Sequence, residues 1–239
     1  MNALPQKAWC GMSLEALRKE VCAANKLLPE HGLVKFTWGN VSGIDRRRRI
    51  IIIKPSGVSY KDLTPYNMAV VDMSGKLLEG GKPSSDTATH LRLYEAFDEI
   101  GGITHTHSAW ATVFAQAGLP IPAYGTTHAD YFHGPVPCTR ALTDAEIEGE
   151  YEKETGNVIV ETFCGLCPVS MPAVLVKNHG VFTWGKSPGY AAENAAVLEE
   201  AAMTAFYSRM LNPEITAISQ VLSDRHFYRK HGAGAYYGQ

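Results

Sequence analysis

Two histidines separated by a single residue end an apolar segment of the chain. The segment from Gly102 to His107 is predicted to be a strand, and it closes with His105-Thr106-His107. Side chains at positions i and i+2 of a strand point to the same face, so His105 and His107 can share one metal ion. Imidazole is the commonest metal ligand in proteins. The pair alone does not separate a metal site from two structural or surface histidines.

A third histidine favours the metal interpretation. His179 directly follows the predicted strand Ala173 to Lys177, in the motif Asn178-His179-Gly180. A neighbouring strand can therefore deliver a third imidazole to the first two. Three neutral nitrogens leave one coordination position open, which is the arrangement of a catalytic zinc site. Zinc or a similar divalent metal is expected.

Other titratable residues lie close to these three in the sequence. Asp86 is a candidate fourth ligand or a nearby acid. His90 lies four residues further on, on the same face of a predicted helix, and His128 lies two residues before Asp130. For His90 and His128 we favour a packed, hydrogen-bonded imidazole over a metal ligand.

Three short motifs rich in glycine and serine could bind an anion. Each is predicted to end a strand or to begin a helix, where backbone N–H groups are free. They are Gly39-Asn40, Lys54-Pro55-Ser56-Gly57 and Pro83-Ser84-Ser85. Lys54 adds a positive charge, and phosphate is the obvious guest. Each motif taken alone is better explained as a turn or an N-cap, and the sequence does not show that the three converge.

Alternating strands and helices surround these motifs. The pattern predicts an α/β fold in a single domain over residues 1–239, with a central sheet and helices on both of its faces. The predicted strands are Leu33 to Trp38, Ile50 to Lys54, a hairpin of Met68 to Met73 with Lys76 to Leu78, Gly102 to His107, Ala173 to Lys177 and Gly180 to Trp184. The predicted helices begin at Ser13, at Pro83-Ser84-Ser85-Asp86, after His107, at Thr143 and at Ser187.

Composition excludes several classes of function. The 22 basic and 24 acidic residues leave a formal charge of −2, which gives no electrostatic signature for nucleic acid or an anionic membrane. The run from Arg46 to Arg49 is interpreted as a solvated turn. No apolar stretch approaches the roughly 20 residues that span a bilayer, and no secretory signal is expected at the N-terminus.

Cysteine usage indicates a reducing compartment. The count of five is odd, and only Cys164 and Cys167 lie close together, so a disulfide-stabilised secreted protein is not expected. We therefore predict a cytoplasmic location. A redox role for the Cys-x-x-Cys pair is disfavoured against a plain surface loop.

Taken together, the motifs resemble those of the class II aldolase family and, within it, of its pentulose-5-phosphate 4-epimerase branch. The resemblance covers nearly the whole chain. It lies in Thr37-Trp38-Gly39-Asn40-Val41-Ser42, Lys54-Pro55-Ser56-Gly57, Pro83-Ser84-Ser85-Asp86-Thr87, His105-Thr106-His107-Ser108, Gly125-Thr126-Thr127-His128-Ala129-Asp130-Tyr131, Arg229-Lys230-His231-Gly232 and Tyr236-Tyr237-Gly238-Gln239.

The resemblance implies a fold like that of the class II aldolase and adducin head domains, and it implies roles for individual residues. His105, His107 and His179 would bind zinc, with Asp86 beside it. Asp130 and Tyr237 would be the acid and base, with Tyr237 supplied by a neighbouring subunit of a homotetramer whose sites lie at subunit interfaces. A set of turn residues would hold a sugar phosphate, chiefly by its phosphate group. That set is Gly39, Asn40, Ser56, Gly57, Ser84 and Ser85.

The implied reaction interconverts L-ribulose 5-phosphate and D-xylulose 5-phosphate. Their C4–H bond is not next to the carbonyl, so inversion by retro-aldol opening of C3–C4 and re-addition is easier than removal of the C4 proton. One alternative is an aldolase that cleaves a related ketose 1-phosphate and releases dihydroxyacetone phosphate. Another is a metal-stabilised scaffold without catalysis.

Overall fold

A computed structural model describes residues 13–232 and 234–236 of the chain. Within them, seven strands form one sheet in the order β4-β3-β2-β1-β5-β7-β6. Every pairing between these strands is antiparallel. The strands are β1 (Asn40–Asp45), β2 (Ile50–Ile53), β3 (Ala69–Asp72), β4 (Leu77–Glu79), β5 (Gly102–Thr106), β6 (Ala173–Val176) and β7 (Gly180–Gly185).

Eight α-helices connect the strands or follow them in the described part of the chain. They are α1 (Leu14–Glu30), α2 (Thr87–Ala96), α3 (Ala109–Ala117), α4 (Thr126–Ala129), α5 (Asp144–Glu148), α6 (Tyr151–Thr162), α7 (Pro188–Leu211) and α8 (Gln220–His231). Side-chain caps fix the starts of several, as the sequence predicts. Ser13 accepts a hydrogen bond from the amide of Ala16, and Thr143 and Glu146 form a capping box.

Helices cover both faces of the sheet, which confirms the predicted fold class. Successive residues of β7 show the two faces. The Thr183 hydroxyl donates to the carbonyl of Ala191 in α7 at 2.8 Å, whereas the ring of Trp184 packs on Phe97 at the end of α2. All four residues of β2 are buried, and such continuous burial is typical of a strand covered on both sides.

The predicted strand from Leu33 to Trp38 is wrong. The segment forms turns, and the strand begins later, at Asn40. Phe36 and Gly39 both have positive φ angles, of 51° and 74°, which an extended strand does not allow. The strand that does form is held at its start by Asn25 of α1. The side chain of Asn25 accepts from the Val41 amide at 2.8 Å and donates to the Val41 carbonyl at 3.0 Å.

The arginine run is more than a solvated turn. Arg46 donates hydrogen bonds to the carbonyls of Tyr94, Phe97 and Ile100, so it caps the C-terminal end of α2 and ties the β1–β2 hairpin to it.

Cys164 and Cys167 are exposed free thiols in the turns that follow α6. No helix in the described residues has the length and apolar character needed to cross a membrane.

Candidate metal centre and adjoining cleft

Strand pairing brings the three histidines together. His105 lies in β5, opposite Phe182 of β7, and His179 immediately precedes β7. The Nε2 atoms of His105 and His107 are 3.1 Å apart. One ring nitrogen from each of His105, His107 and His179 lies within 4.8 Å of the others. The three imidazoles therefore converge on one point, as a shared ion requires.

The chemistry of this donor set fits a divalent metal. Burial, reinforced by His105 and His107, lowers the pKa of His179 to about 3, and burial also lowers the pKa of His107. Both rings are therefore neutral at pH 7, as metal ligands must be. His105 Nδ1 donates to the carbonyl of Val181 at 2.9 Å, which leaves the lone pair of Nε2 facing the cluster. Ligands at ~2.0–2.1 Å around a tetrahedral zinc ion are roughly 3.3 Å apart, close to the observed separation.

A glycine makes room for the cluster. A Cβ atom at Gly180 would lie 2.7 Å from His107 Cδ2 and 2.7 Å from the carbonyl oxygen of Thr106. Asn178 has a positive φ of 64°, which turns the chain sharply between β6 and β7. The Asn178-His179-Gly180 motif thus combines a left-handed turn, an imidazole that faces the cluster and a residue without a side chain.

Asp86 lies next to the cluster but is not one of its converging groups. Its carboxylate accepts a hydrogen bond from Asn40 Nδ2 at 2.6 Å and another from the hydroxyl of Ser84 at 3.3 Å. Burial raises the pKa of Asp86. The imidazoles of His105 and His90 and the hydrogen bond from Asn40 lower it by more, so the pKa lies below its ordinary value. Asp86 is therefore an ionised acid at the N-cap of α2, beside the histidines.

A cleft of about 380 Å³ opens directly over the histidines. All three glycine and serine motifs reach it, so they do converge. Its lining consists of Thr37, Trp38, Gly39, Asn40, Lys54, Pro55, Ser56, Gly57, Ser84, Ser85, Asp86, His105, His107, Tyr151, Glu152 and His179.

Backbone contacts hold the three turns in place. The amide of Ser56 donates to the carbonyl of Lys82 at 2.8 Å, and the amide of Ser84 donates to the carbonyl of Lys54 at 3.2 Å. At Gly39, a Cβ atom would lie 2.8 Å from Val34 Cγ1 and 2.9 Å from the carbonyl oxygen of His105. Glycine there lets the first turn lie against the histidine strand.

Lys54 is the basic residue at the floor of this cleft. Its ammonium group donates to the carbonyls of Thr37, at 3.1 Å, and Pro55, at 3.4 Å, and lies 5.0 Å from the ring centre of Tyr60. Burial lowers the pKa of Lys54 to about 8, so the group carries its charge at neutral pH. Two of its three N–H bonds are accounted for by these carbonyls, which leaves one for an anion.

Asn40 connects the turn at Ser84 to the carboxylate of Asp86. Its Nδ2 donates both to Asp86 and, at 3.1 Å, to the hydroxyl of Ser84. Its Oδ1 is buried and has no hydrogen-bond partner in the described residues. A buried amide oxygen without a partner is suited to accept a hydrogen bond from a hydroxyl group that enters the cleft.

Two residues of the cleft were missed by the sequence analysis. Tyr151 and Glu152 open α6, and the Tyr151 hydroxyl lies 3.5 Å from His179 Nδ1. They occur in an acidic segment without any motif, so no sequence signal could have selected them. Their position depends on the packing of α6 on α2, where the Thr89 hydroxyl donates to the carbonyl of Glu152.

Asp130 does not line the cleft of its own chain. Arg229 of α8 donates two hydrogen bonds to its carboxylate, at 3.0 and 2.8 Å, and His226 Nδ1 lies 3.1 Å from it. Its carbonyl oxygen lies 2.7 Å from His231 Nε2. The other predicted acid–base residue, Tyr237, lies outside the described residues.

The two histidines interpreted as packed imidazoles are hydrogen-bonded in the interior. His90 Nδ1 lies 2.7 Å from the hydroxyl of Ser42, and His128 Nε2 lies 2.7 Å from the carbonyl of Gly134. Both side chains are buried. Neither belongs to the cluster of three.

Comparisons with known proteins point to one family. The family model described as "Class II Aldolase and Adducin N-terminal domain" matches residues 19–206. The chain is 54% identical over 227 residues to the L-ribulose-5-phosphate 4-epimerase UlaF of Salmonella paratyphi C, which covers 95% of this chain and 100% of that protein.

Solved structures show the same fold. An L-fuculose 1-phosphate aldolase superposes with a TM-score of 0.76 at 24% identity, over 94% of this chain and 99% of that one. YgbL of Klebsiella pneumoniae, described as a putative aldolase/epimerase/decarboxylase, superposes with a TM-score of 0.72 at 25% identity, over 90% and 99% of the two chains.

Proposed function

The chain belongs to the family of class II aldolase and adducin N-terminal domains, and we propose that it is an L-ribulose-5-phosphate 4-epimerase. Its reaction is the interconversion of L-ribulose 5-phosphate and D-xylulose 5-phosphate. The observation that carries the proposal is the shared cleft, in which three converging imidazoles face three anion-binding turns. The 54% identity to a 4-epimerase along its whole length favours epimerase over aldolase chemistry.

His105, His107 and His179 would hold the metal, with Asp86 beside it as a fixed negative charge. Zinc is the proposed ion, since three neutral nitrogens and an open position suit it. When bound, a divalent ion supplies Lewis-acid stabilisation of the negative charge that develops on substrate oxygens as a carbon–carbon bond opens.

The phosphate would bind at the turns. Lys54 supplies a positive charge, the hydroxyls of Ser56 and Ser85 supply donors, and Gly57 keeps the backbone accessible. The Ser84 hydroxyl would add a third donor by turning from Asp86 to the phosphate. Asn40 Oδ1 would accept a hydrogen bond from a substrate hydroxyl. This grip keeps glycolaldehyde phosphate in place after C3–C4 opens, so that re-addition remains effectively unimolecular.

Asp130 and Tyr237 would move the protons. One takes the proton of the C4 hydroxyl as C3–C4 opens, the aldehyde turns to present its other face, and the second returns a proton when the bond re-forms with C4 inverted. Because Asp130 lies outside the cleft of its own chain, we propose that it and Tyr237 act on the cleft of a neighbouring subunit in a homotetramer. We also propose that the protein is located in the cytoplasm.

An epimerase assay on L-ribulose 5-phosphate, run on protein treated with a chelator and then on protein resupplied with zinc, tests the proposal. We expect loss and recovery of turnover. His107→Asn should lose bound metal and turnover together, whereas His31→Asn, at an exposed helix end, should keep both. Full turnover of chelator-treated protein would refute the metal role. Faster cleavage of a ketose 1-phosphate to dihydroxyacetone phosphate would refute the epimerase assignment.

A further inference from the structure

The helix that follows the histidine motif lacks a cap of its own. Ser108, the N-cap residue of α3, makes no side-chain hydrogen bond to the helix, although serine at this position ordinarily accepts one from the second or third amide. Its hydroxyl is buried without a partner in the described residues. The first turn of α3 therefore needs another acceptor.

Glu199 of α7 provides that acceptor. Its Oε1 accepts from the amide of Trp110 at 2.8 Å, and its Oε2 accepts from the amide of Ala111 at 3.0 Å. These are the second and third amides of α3, the donors that an N-cap side chain would have taken. A carboxylate from a distant helix thus does the work of a local cap.

Aromatic packing fixes the same turn against the same helix. The ring of Trp110 lies 5.6 Å from that of Phe206 and 5.2 Å from that of Tyr207, both in α7. The start of α3 is therefore held to α7 through both the backbone and a side chain.

This attachment acts on the metal centre because of where it lies. His107 follows the last residue of β5 and directly precedes Ser108, so its backbone is set by β5 on one side and by the start of α3 on the other. The amides of its first turn give the start of α3 a partial positive charge, which opposes a divalent cation beside it. A carboxylate on those amides offsets that charge.

We propose that Glu199 is a positioning residue for the metal centre, which holds the His107 turn in its ligating geometry and neutralises the start of α3. The inference rests on the metal site of the proposed function. Removal of groups that orient metal ligands typically weakens metal binding by 10–100-fold. We expect a loss of about tenfold or more in zinc affinity for Glu199→Gln, which keeps the shape of the side chain and removes its charge.

Zinc affinity is measured on metal-free protein by competition with a chromophoric chelator, together with thermal unfolding and the visible spectrum of the Co²⁺-substituted protein. Glu200→Gln removes the same charge from the exposed neighbour on α7. Ser13→Ala removes a cap of similar kind from the remote helix α1. Both controls should bind zinc within twofold of the original protein, and the Co²⁺ spectrum should change in Glu199→Gln alone.

Unchanged zinc affinity in Glu199→Gln would overturn the inference while leaving the metal site intact. An equal loss of affinity in Ser13→Ala would also overturn it, because the effect would then follow global stability. If the unaltered protein binds no zinc, the metal site of the proposed function fails and the inference with it.

Discussion

Alkaline pH should weaken phosphate binding at the proposed site, because Lys54 loses its charge there. Its ammonium group is buried between two carbonyl oxygens, and burial lowers its pKa to about 8. A lysine carries its charge below its pKa, so the free protein keeps this cation at pH 7 and loses it as pH rises through 8. The phosphate of a pentulose phosphate is already dianionic above about pH 7, because its second pKa is near 6.

The expected size of the effect follows from that pKa. The parameter kcat/KM reports groups of the free enzyme, so it should fall to about half at pH 8 and to about a tenth at pH 9. A bound phosphate dianion favours the charged lysine, so kcat at saturating substrate should decline at higher pH than kcat/KM does.

Epimerase kinetics between pH 6.5 and 9.5 measure this decline, and Lys54→Arg provides the control. Arginine stays protonated throughout this range, so the variant should lose the alkaline decline even if its overall rate is lower. A constant kcat/KM up to pH 9.5 in the unaltered protein would refute the reasoning. The same decline in Lys54→Arg would assign it to another group.

Three further outcomes are expected. Tyr237→Phe should leave zinc bound but slow epimerisation sharply, and normal turnover would exclude Tyr237 from the reaction. Asn25→Ala leaves the buried Val41 amide and carbonyl unpaired, so the free energy of unfolding in urea should fall by about 3 kcal/mol, and a loss under about 1 kcal/mol would contradict this. Burial lowers the pKa of His90 to about 3, so metal-free protein should lose stability as pH falls from about 6.5 towards 3; equal urea midpoints at pH 7 and 5 would contradict this.

Local patterns predicted much of the fold. Ser13 and the apolar spacing behind it placed α1, and Ser74-Gly75 placed the β3–β4 hairpin. The error at Leu33 to Trp38 had a physical cause. The residues suit a strand by composition, but Phe36 takes a left-handed conformation. The side chain of Asn25 binds Val41, so the strand forms in the next segment instead. Such long-range choices leave no trace in a short window of sequence.

The candidate site divides along the same line. Period-two spacing placed His105 and His107 together, since that relation is local. The sequence analysis named His179 as the third imidazole, but its position beside the other two depends on the register between β5 and β7, which the sequence did not provide. Tyr151 and Glu199 belong to helices whose position is set by packing, and neither residue lies in a motif. Contacts that cross between elements therefore had to come from the structure.

The order of the strands determines how late in synthesis the proposed metal centre can form. The hydrogen bond between His105 and Val181 joins residues 76 positions apart. During synthesis, His105 and His107 are made first, and the intervening segment must be completed before His179 can join them. Metal binding at the proposed site therefore occurs late and stabilises the completed β5–β7 pairing. Truncation before β7 should abolish metal binding.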